Sequence, residues 1–215
     1  MYVGVSKSIK IRELQINDVY GMLNWGKHDS PLFEDYNFPK LNDNEIELWY
    51  KMKTKKKNKK CFAIITDNNN IIGYLTIRKI KRFRKKATLG IVFDPNFMNK
   101  GYGTEALNVF LDYFFNILNM NQMILEVAKF NKRALKCYKK CGFNKYKKYN
   151  KKIENQDIDI FGDDYYKDIR DCFIIKNGYT QTVYYKMRIY SEEFNQRKHK
   201  HNKNVNTTVD MWKSS

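Results

Sequence analysis

The stretch from Leu89 to Phe143 constrains the fold more than any other part of the chain. It reads LGIVFDPNFMNKGYGTEALNVFLDYFFNILNMNQMILEVAKFNKRALKCYKKCGF. Ala87 to Phe93 is an apolar strand that Asp94-Pro95 stops. Gly101 to Met120 carries Ala106, Leu107, Phe110, Leu111, Phe114, Phe115 and Leu118 at the spacing of a helix with one buried face. Met123 to Ala128 is again an apolar strand. Asn131 to Lys140 is a second helix with Ala134, Leu135 and Tyr138 on one face, and Gly142 suits a left-handed C-cap. The turn Lys100-Gly101-Tyr102-Gly103-Thr104 falls where a strand ends and a helix begins. Such a junction offers several free backbone N–H groups to a phosphate.

The flanks supply the rest of a sheet. Ile9 to Leu14 alternates and reads as a first strand. Asn17 or Asp18 caps a helix carrying Val19, Met22 and Leu23, and Asn42 or Asp43 caps another with Ile46, Leu48, Trp49 and Met52. Between them the loop Gly26 to Pro39 gathers Glu34, Asp35, Tyr36 and Phe38. That mixture suits either a lining for an amine-bearing substrate or plain core aromatics beside solvated acids. Cys61 to Thr66, Ile71 to Ile80 and Ala87 to Phe93 form an antiparallel three-strand meander. Later, Lys145 to Lys151 reads as a strand, and Tyr165 to Ile175 as helix or strand. Asn177-Gly178 is a turn before a final strand, Tyr179 to Tyr190. The expected fold is α+β: a mostly antiparallel, twisted sheet of about six to seven strands flanked by helices. The domain spans 1–190, and 191–215, rich in Lys, His, Asn and Ser, reads as a basic disordered tail.

Composition narrows the function. With 215 residues, 42% of them hydrophobic, the chain is long enough for one sizeable core. No apolar run reaches the roughly 18 residues of a membrane span, and the N-terminus lacks a signal-peptide core, so the expected location is cytoplasmic with no membrane partner. Four cysteines, Cys61, Cys137, Cys141 and Cys172, form no CxxC pair, and the three histidines are scattered, so reduced thiols and no metal are expected. The net charge of +18 would suit a polyanion, but the lysines are spread along the whole chain. The densest run, Lys51 to Lys60, reads as a solvated helix end flanked by core aromatics. Nucleic acid is therefore the last-ranked partner.

The glycine turn alone is a weak motif. GxxxxGK[ST] is absent, and GxGxxG fails at Ala106. The order of parts is more telling. Met98-Asn99-Lys100-Gly101-Tyr102-Gly103 resembles the pyrophosphate loop Q/R-x-x-G-x-G/A of the GNAT N-acetyltransferase superfamily. Asn131-Lys132-Arg133-Ala134, then Tyr138 and Gly142-Phe143, resembles that family's NxxAxxxYxxxGF motif. The matching core covers about a quarter of the chain, with a compatible element order from Ile9 to Tyr190. The looser likeness is to enzymes acting on protein N-termini, polyamines or small amines.

The resemblance implies acetyl-CoA as acyl donor, no metal, and a small-molecule or peptide amine as acceptor; a homodimer is compatible with it. It implies a cofactor site of Ile91, Val92, Phe93, Met98, Asn99, Lys100, Gly101, Tyr102, Gly103, Thr104, Asn131 and Ala134. Gly101 and Gly103 let a pyrophosphate approach the backbone, and Asn131 bonds the pantetheine arm or a nearby main-chain group. A backbone N–H near Val92 faces the oxyanion. Tyr138 is either a general acid to the departing thiolate, as its ordinary pKa of about 10 permits, or a core aromatic. Two positions depart from the pattern: Met98 replaces a Gln or Arg, and Thr88 stands where many relatives carry a Glu base. Glu126 is the nearest acidic alternative, with Glu34, Asp35 and a solvent path also open. Two other readings compete: a module of the same fold that binds acyl-CoA without turnover, and a basic nucleic-acid-associated protein.

Overall fold

In the computed structural model, which describes residues 1–200, nine strands form one sheet. They are β1 (Tyr2–Val5), β2 (Ile9–Glu13), β3 (Lys59–Thr66), β4 (Ile71–Lys81), β5 (Lys86–Phe93), β6 (Gln122–Ala128), β7 (Asn144–Lys152), β8 (Phe173–Lys176) and β9 (Tyr179–Tyr190). Neighbours run β1-β2-β3-β4-β5-β6-β9-β7, with β8 also on β9. All pairings are antiparallel except β5 with β6, which is parallel. The helices are α1 (Ile16–Met22), α2 (Asp43–Thr54), α3 (Tyr102–Asp112), α4 (Lys132–Lys140) and α5 (residues 191–200). The mixed, mostly antiparallel architecture is the expected one. The strand count is nine rather than six or seven because β1 and β8, four residues each, are too short to show a pattern of their own.

The sheet is buried on both faces where β3 crosses it, and β3 shows why. Its side chains alternate: Phe62 and Ile64 join a cluster with Leu107, Phe110 and Phe114 of α3 and its extension. Cys61, Ala63 and Ile65 join Val19, Met22 and Ile46 beneath α1 and α2. Burial of each large apolar side chain contributes about 1.5–3 kcal/mol, so α3 is anchored by its apolar stripe rather than by propensity. Past Asp112 the expected helix continues as one wider π turn, Tyr113–Ile117, in which Leu118 N–H reaches back to Tyr113 O at 2.9 Å.

Local signals decide the ends. Asn42 caps α2, its side chain accepting from Glu45 N–H at 3.1 Å. The cap of α1 is Gln15, not Asn17 or Asp18. Asp18 instead reaches back to Gln15 N–H at 2.7 Å and is clasped by both Arg12 nitrogens at 2.6 and 2.7 Å. That bidentate pair explains how a carboxylate stays buried there. Residues 164–172 settle as a 3-10 turn leading into β8, and Asn177 and Gly178 both take positive φ, +53 and +73, as a tight hairpin turn requires.

The start of the expected tail is helical. Glu193 accepts Tyr190 N–H at 2.9 Å at its start, and Phe194 is 2% exposed against Phe115. Arg197 donates to Lys140 O and to Asn108, each at 2.7 Å, tying α5 to α4 and α3. One apolar residue among polar ones gave no periodic signal, yet it fills a gap in the core. Residues 201–215 of the expected tail lie outside the described residues. Among the described residues, no helix is long and apolar enough to cross a membrane.

Candidate active site

The site follows from a divergence in the middle of the sheet. β5 and β6 pair only at Lys86–Gln122, Ala87–Met123 and Thr88–Ile124. β4 accompanies β5 onward to Phe93, and β9 accompanies β6 onward to Ala128. Residues 89–93 of β5 and Glu126 and Val127 of β6 therefore become the walls of a cleft of about 570 Å³. Main-chain groups on the facing edges have no strand partner across the gap, a condition that favours a ligand able to hydrogen-bond them.

The glycine turn closes the wide end. Asn99 (φ +61) and Gly101 (φ +88) bend the chain from β5 into α3. Thr104 N–H and Glu105 N–H both bond Gly101 O, at 3.0 and 3.2 Å. The N–H groups of Tyr102 and Gly103 have no acceptor among the described residues. A Cβ on Gly101 would meet nothing within 4 Å, so the space above the turn is open and only the backbone conformation demands glycine. Free N–H groups, a helix N-terminus and open space together fit a pyrophosphate.

The other wall is α4. Asn131, buried, caps it, its Oδ1 accepting Ala134 N–H at 3.0 Å, so the main-chain bond is the one this side chain makes. Gly142 takes φ +93 after α4 and lets the chain turn into Phe143, whose ring packs 6.0 Å from Tyr138. The Tyr138 side chain borders the cleft, and its hydroxyl has no hydrogen-bond partner among the described residues. Burial, then the neighbouring Tyr36 and Cys137, push its phenol well above the ordinary value, so it carries its proton at neutral pH.

Glu126 lies on the β6 wall, with Lys186 at 3.0 Å. Burial works to raise its carboxyl, but bonds from Lys186 and Tyr149 and the nearby Arg78 outweigh that and lower it. It is an ionised carboxylate. Of the expected site residues, all but Lys100 border this one cleft; the Lys100 ammonium lies instead over the Phe97 ring at 5.2 Å. Asp35 also borders it, whereas Glu34 and Thr88 do not.

Four further side chains in the cleft had no readable signal: His28, Lys53, Arg78 and Cys137. His28 packs against Phe33 and Tyr36, at 5.4 and 6.4 Å between ring centroids, and burial, then Arg133, lower its imidazole below the usual value. Lys53, expected among solvated lysines, is half-buried over Trp49 and Tyr74, at 4.8 and 5.1 Å. The Cys137 thiol lies 3.5 Å from Thr104 Oγ1; the neighbouring Cys141, and then Thr104, outweigh burial and lower it below the ordinary thiol value. Among the described residues, no three His, Cys, Asp or Glu side chains gather as a metal site.

Comparison with known proteins agrees with this geometry. The spermidine N(1)-acetyltransferase of Vibrio cholerae is 23% identical over 177 residues, covering 81% of this chain and 97% of that protein. The spermidine N(1)-acetyltransferase of Escherichia coli K12 is 25% identical over 137 residues, 64% of this chain and 73% of its own length. A solved structure of the Vibrio cholerae enzyme with CoA and spermine superposes with a TM-score of 0.64 at 22% identity, over 86% of this chain and 97% of that one. The sequence model described as the acetyltransferase (GNAT) domain matches residues 8–144. With that match over most of the chain, and the cleft between β5 and β6 at its centre, the protein belongs to the GNAT acetyltransferase family.

Proposed function

We propose that this protein moves the acetyl group of acetyl-CoA to a primary amine by direct attack. The observation that carries the reading is the divergence of β5 from β6 beside a glycine turn with free N–H groups. In this reading the turn from Met98 to Thr104 holds the pyrophosphate, and residues 91–93 offer main-chain groups to the pantetheine arm. Ala134, on the α4 wall, leaves room for that arm, and Asn131 keeps the wall in place by capping the helix. The relatives' spermidine N(1)-acetyltransferase activity supports an amine as acceptor.

The chemistry asks for few groups. The amine nitrogen attacks the thioester carbon, and a backbone N–H near Val92 stabilises the oxyanion that forms. Collapse of that intermediate breaks the C–S bond, and Tyr138 gives its proton to the departing sulfur. The phenol carries its proton at neutral pH, so the side chain is in the form that can donate. Glu126, held ionised beside Lys186, keeps a negative charge on the β6 wall that favours an approaching ammonium, whose proton is lost to solvent before the neutral amine attacks. Positioning supplies much of the remaining acceleration.

The test is acetyl-CoA binding by calorimetry together with thiol release across a panel of peptides, polyamines, aminoglycosides and amino acids. Binding with turnover of at least one amine is expected. Failure to bind acetyl-CoA would end the reading, and tight binding with no acceptor would leave a binding module of the same fold.

A further inference from the structure

Two cations, Lys53 and Arg78, line the cleft away from the glycine turn, and neither forms an ion pair among the described residues. On the face that carries Glu126, the β4 residues Tyr74, Thr76 and Arg78 stand opposite Val92, Gly90 and Thr88 of β5. Arg78 therefore faces a neutral threonine across the strand pair, at the level of the last β5–β6 contact, Thr88–Ile124. That level is about 16 Å back along β5 from Phe93, at the strand rise of roughly 3.3 Å per residue. Lys53 reaches the same cavity from α2, lying over Tyr74. Neither Lys53 nor Arg78 has a carboxylate within 4.0 Å among the described residues. The nearby acid, Glu126, faces Lys186 at 3.0 Å and is lowered by Arg78 as well, so a single carboxylate is shared among these cations.

Resting on the acetyltransferase reading, we propose that the amine acceptor also carries an anionic group, a carboxylate or a phosphate, which Lys53 and Arg78 bind in the cleft away from the glycine turn. Two cations that line one cavity without an ion-pair partner repel each other, and an anion between them removes that cost. Burial and the neighbouring Lys59 and Arg78 already work against the Lys53 charge, which is the condition such an anion would relieve. The guanidinium offers a fork that matches either anion, while Lys53 adds a point charge. The arrangement then sorts a zwitterion end to end: its amine toward the thioester beside Val92, its anion toward Lys53 and Arg78. A polycation finds the reverse, since its second ammonium would lie against two like charges.

Matched acceptors decide the matter in the full-length protein with acetyl-CoA: O-phosphoethanolamine against ethanolamine, glucosamine 6-phosphate against glucosamine, β-alanine against propylamine, and spermidine as polycation. The anionic twin is expected to show kcat/KM about tenfold higher or more, the scale of one charge-assisted hydrogen bond. Whichever twin pair shows the ratio separates phosphate from carboxylate. Lys53→Gln and Arg78→Gln should each collapse the ratio with the acetyl-CoA KM unchanged, and Arg78→Lys should restore part of it. Spermidine as the preferred substrate, or a ratio indifferent to both variants, would overturn the proposal. Should no amine turn over, calorimetric binding of the same pairs to the CoA-loaded protein decides: equal affinity for the twins sinks the anion site. Whether acetyl-CoA binds at all judges the acetyltransferase reading separately.

Discussion

Replacing Tyr138 by Phe separates chemistry from packing, because the structure predicts opposite magnitudes for the two. The hydroxyl makes no hydrogen bond to any described residue, while the ring packs against Phe143 at 6.0 Å. Removing an unpartnered hydroxyl and keeping the ring changes stability by less than about 1 kcal/mol, since no protein partner is left unsatisfied. Removing a general acid costs about 10²–10⁴ in turnover. The Phe variant should therefore melt within a few degrees of the parent, bind acetyl-CoA comparably and lose about two orders of magnitude or more in kcat. Calorimetric binding, a thermal melt and steady-state thiol release give the three numbers on one preparation. Because burial raises the phenol, the parent's rate should show no loss from this group below pH 10. A kcat within about threefold of the parent, or an acetyl-CoA affinity that falls as far as kcat, would refute the acid role and leave Tyr138 a packing residue.

Three other outcomes concern stability rather than turnover. Phe194→Ala should lower stability by about 3 kcal/mol, read from urea unfolding, because the ring is buried against Phe115; an unchanged midpoint would detach α5 from the folded unit. Asp18→Asn should cost about 2 kcal/mol, less than the roughly 3–5 for a fully buried pair, since Arg12 keeps some access to water. Burial, and then Arg133, lower the His28 imidazole, so on acidification the unfolded chain takes up this proton first. Its stabilising contribution is complete above the ordinary value of about 6.5 and is lost as pH falls from there through the folded value. Unfolding midpoints between pH 7.5 and 5 should fall less steeply for His28→Gln, and identical slopes would remove His28 from the acid response.

What the sequence disclosed was local. Gly101, Asn131 and Gly142 act within a few residues of themselves, through a positive φ or a helix cap, so their spacing could be read along the chain. The alternation of β3 and the stripe of α3 were legible for the same reason. Lys53 looked like one more lysine in KMKTKKKNKK, because its burial depends on Tyr74, a strand away. Arg78 and His28 carried no pattern, since what makes them notable is the cavity that distant elements enclose. Asp18 was misplaced as a cap because its partner, Arg12, belongs to the preceding strand. The helix after Tyr190 was missed because one phenylalanine among polar residues shows no period, yet one is enough when Phe115 leaves it a place.

The short parallel seam between β5 and β6 gives the sheet the mechanics of two leaves on a hinge. One leaf holds β1 to β5, the other β6 to β9, and the pin is three residue pairs long. Past the pin, the protein carries a strand edge in the interior of its own sheet, where other sheets have edges only at their margins. Amides of Gly90–Phe93 that point away from β4 should exchange with deuterium as fast as those of a marginal strand, while their neighbours bonded to β4 stay protected. Any ligand that laces the two leaves together should slow that exchange and stiffen the hinge, so occupancy of the cleft is readable as rigidity at the centre of the fold.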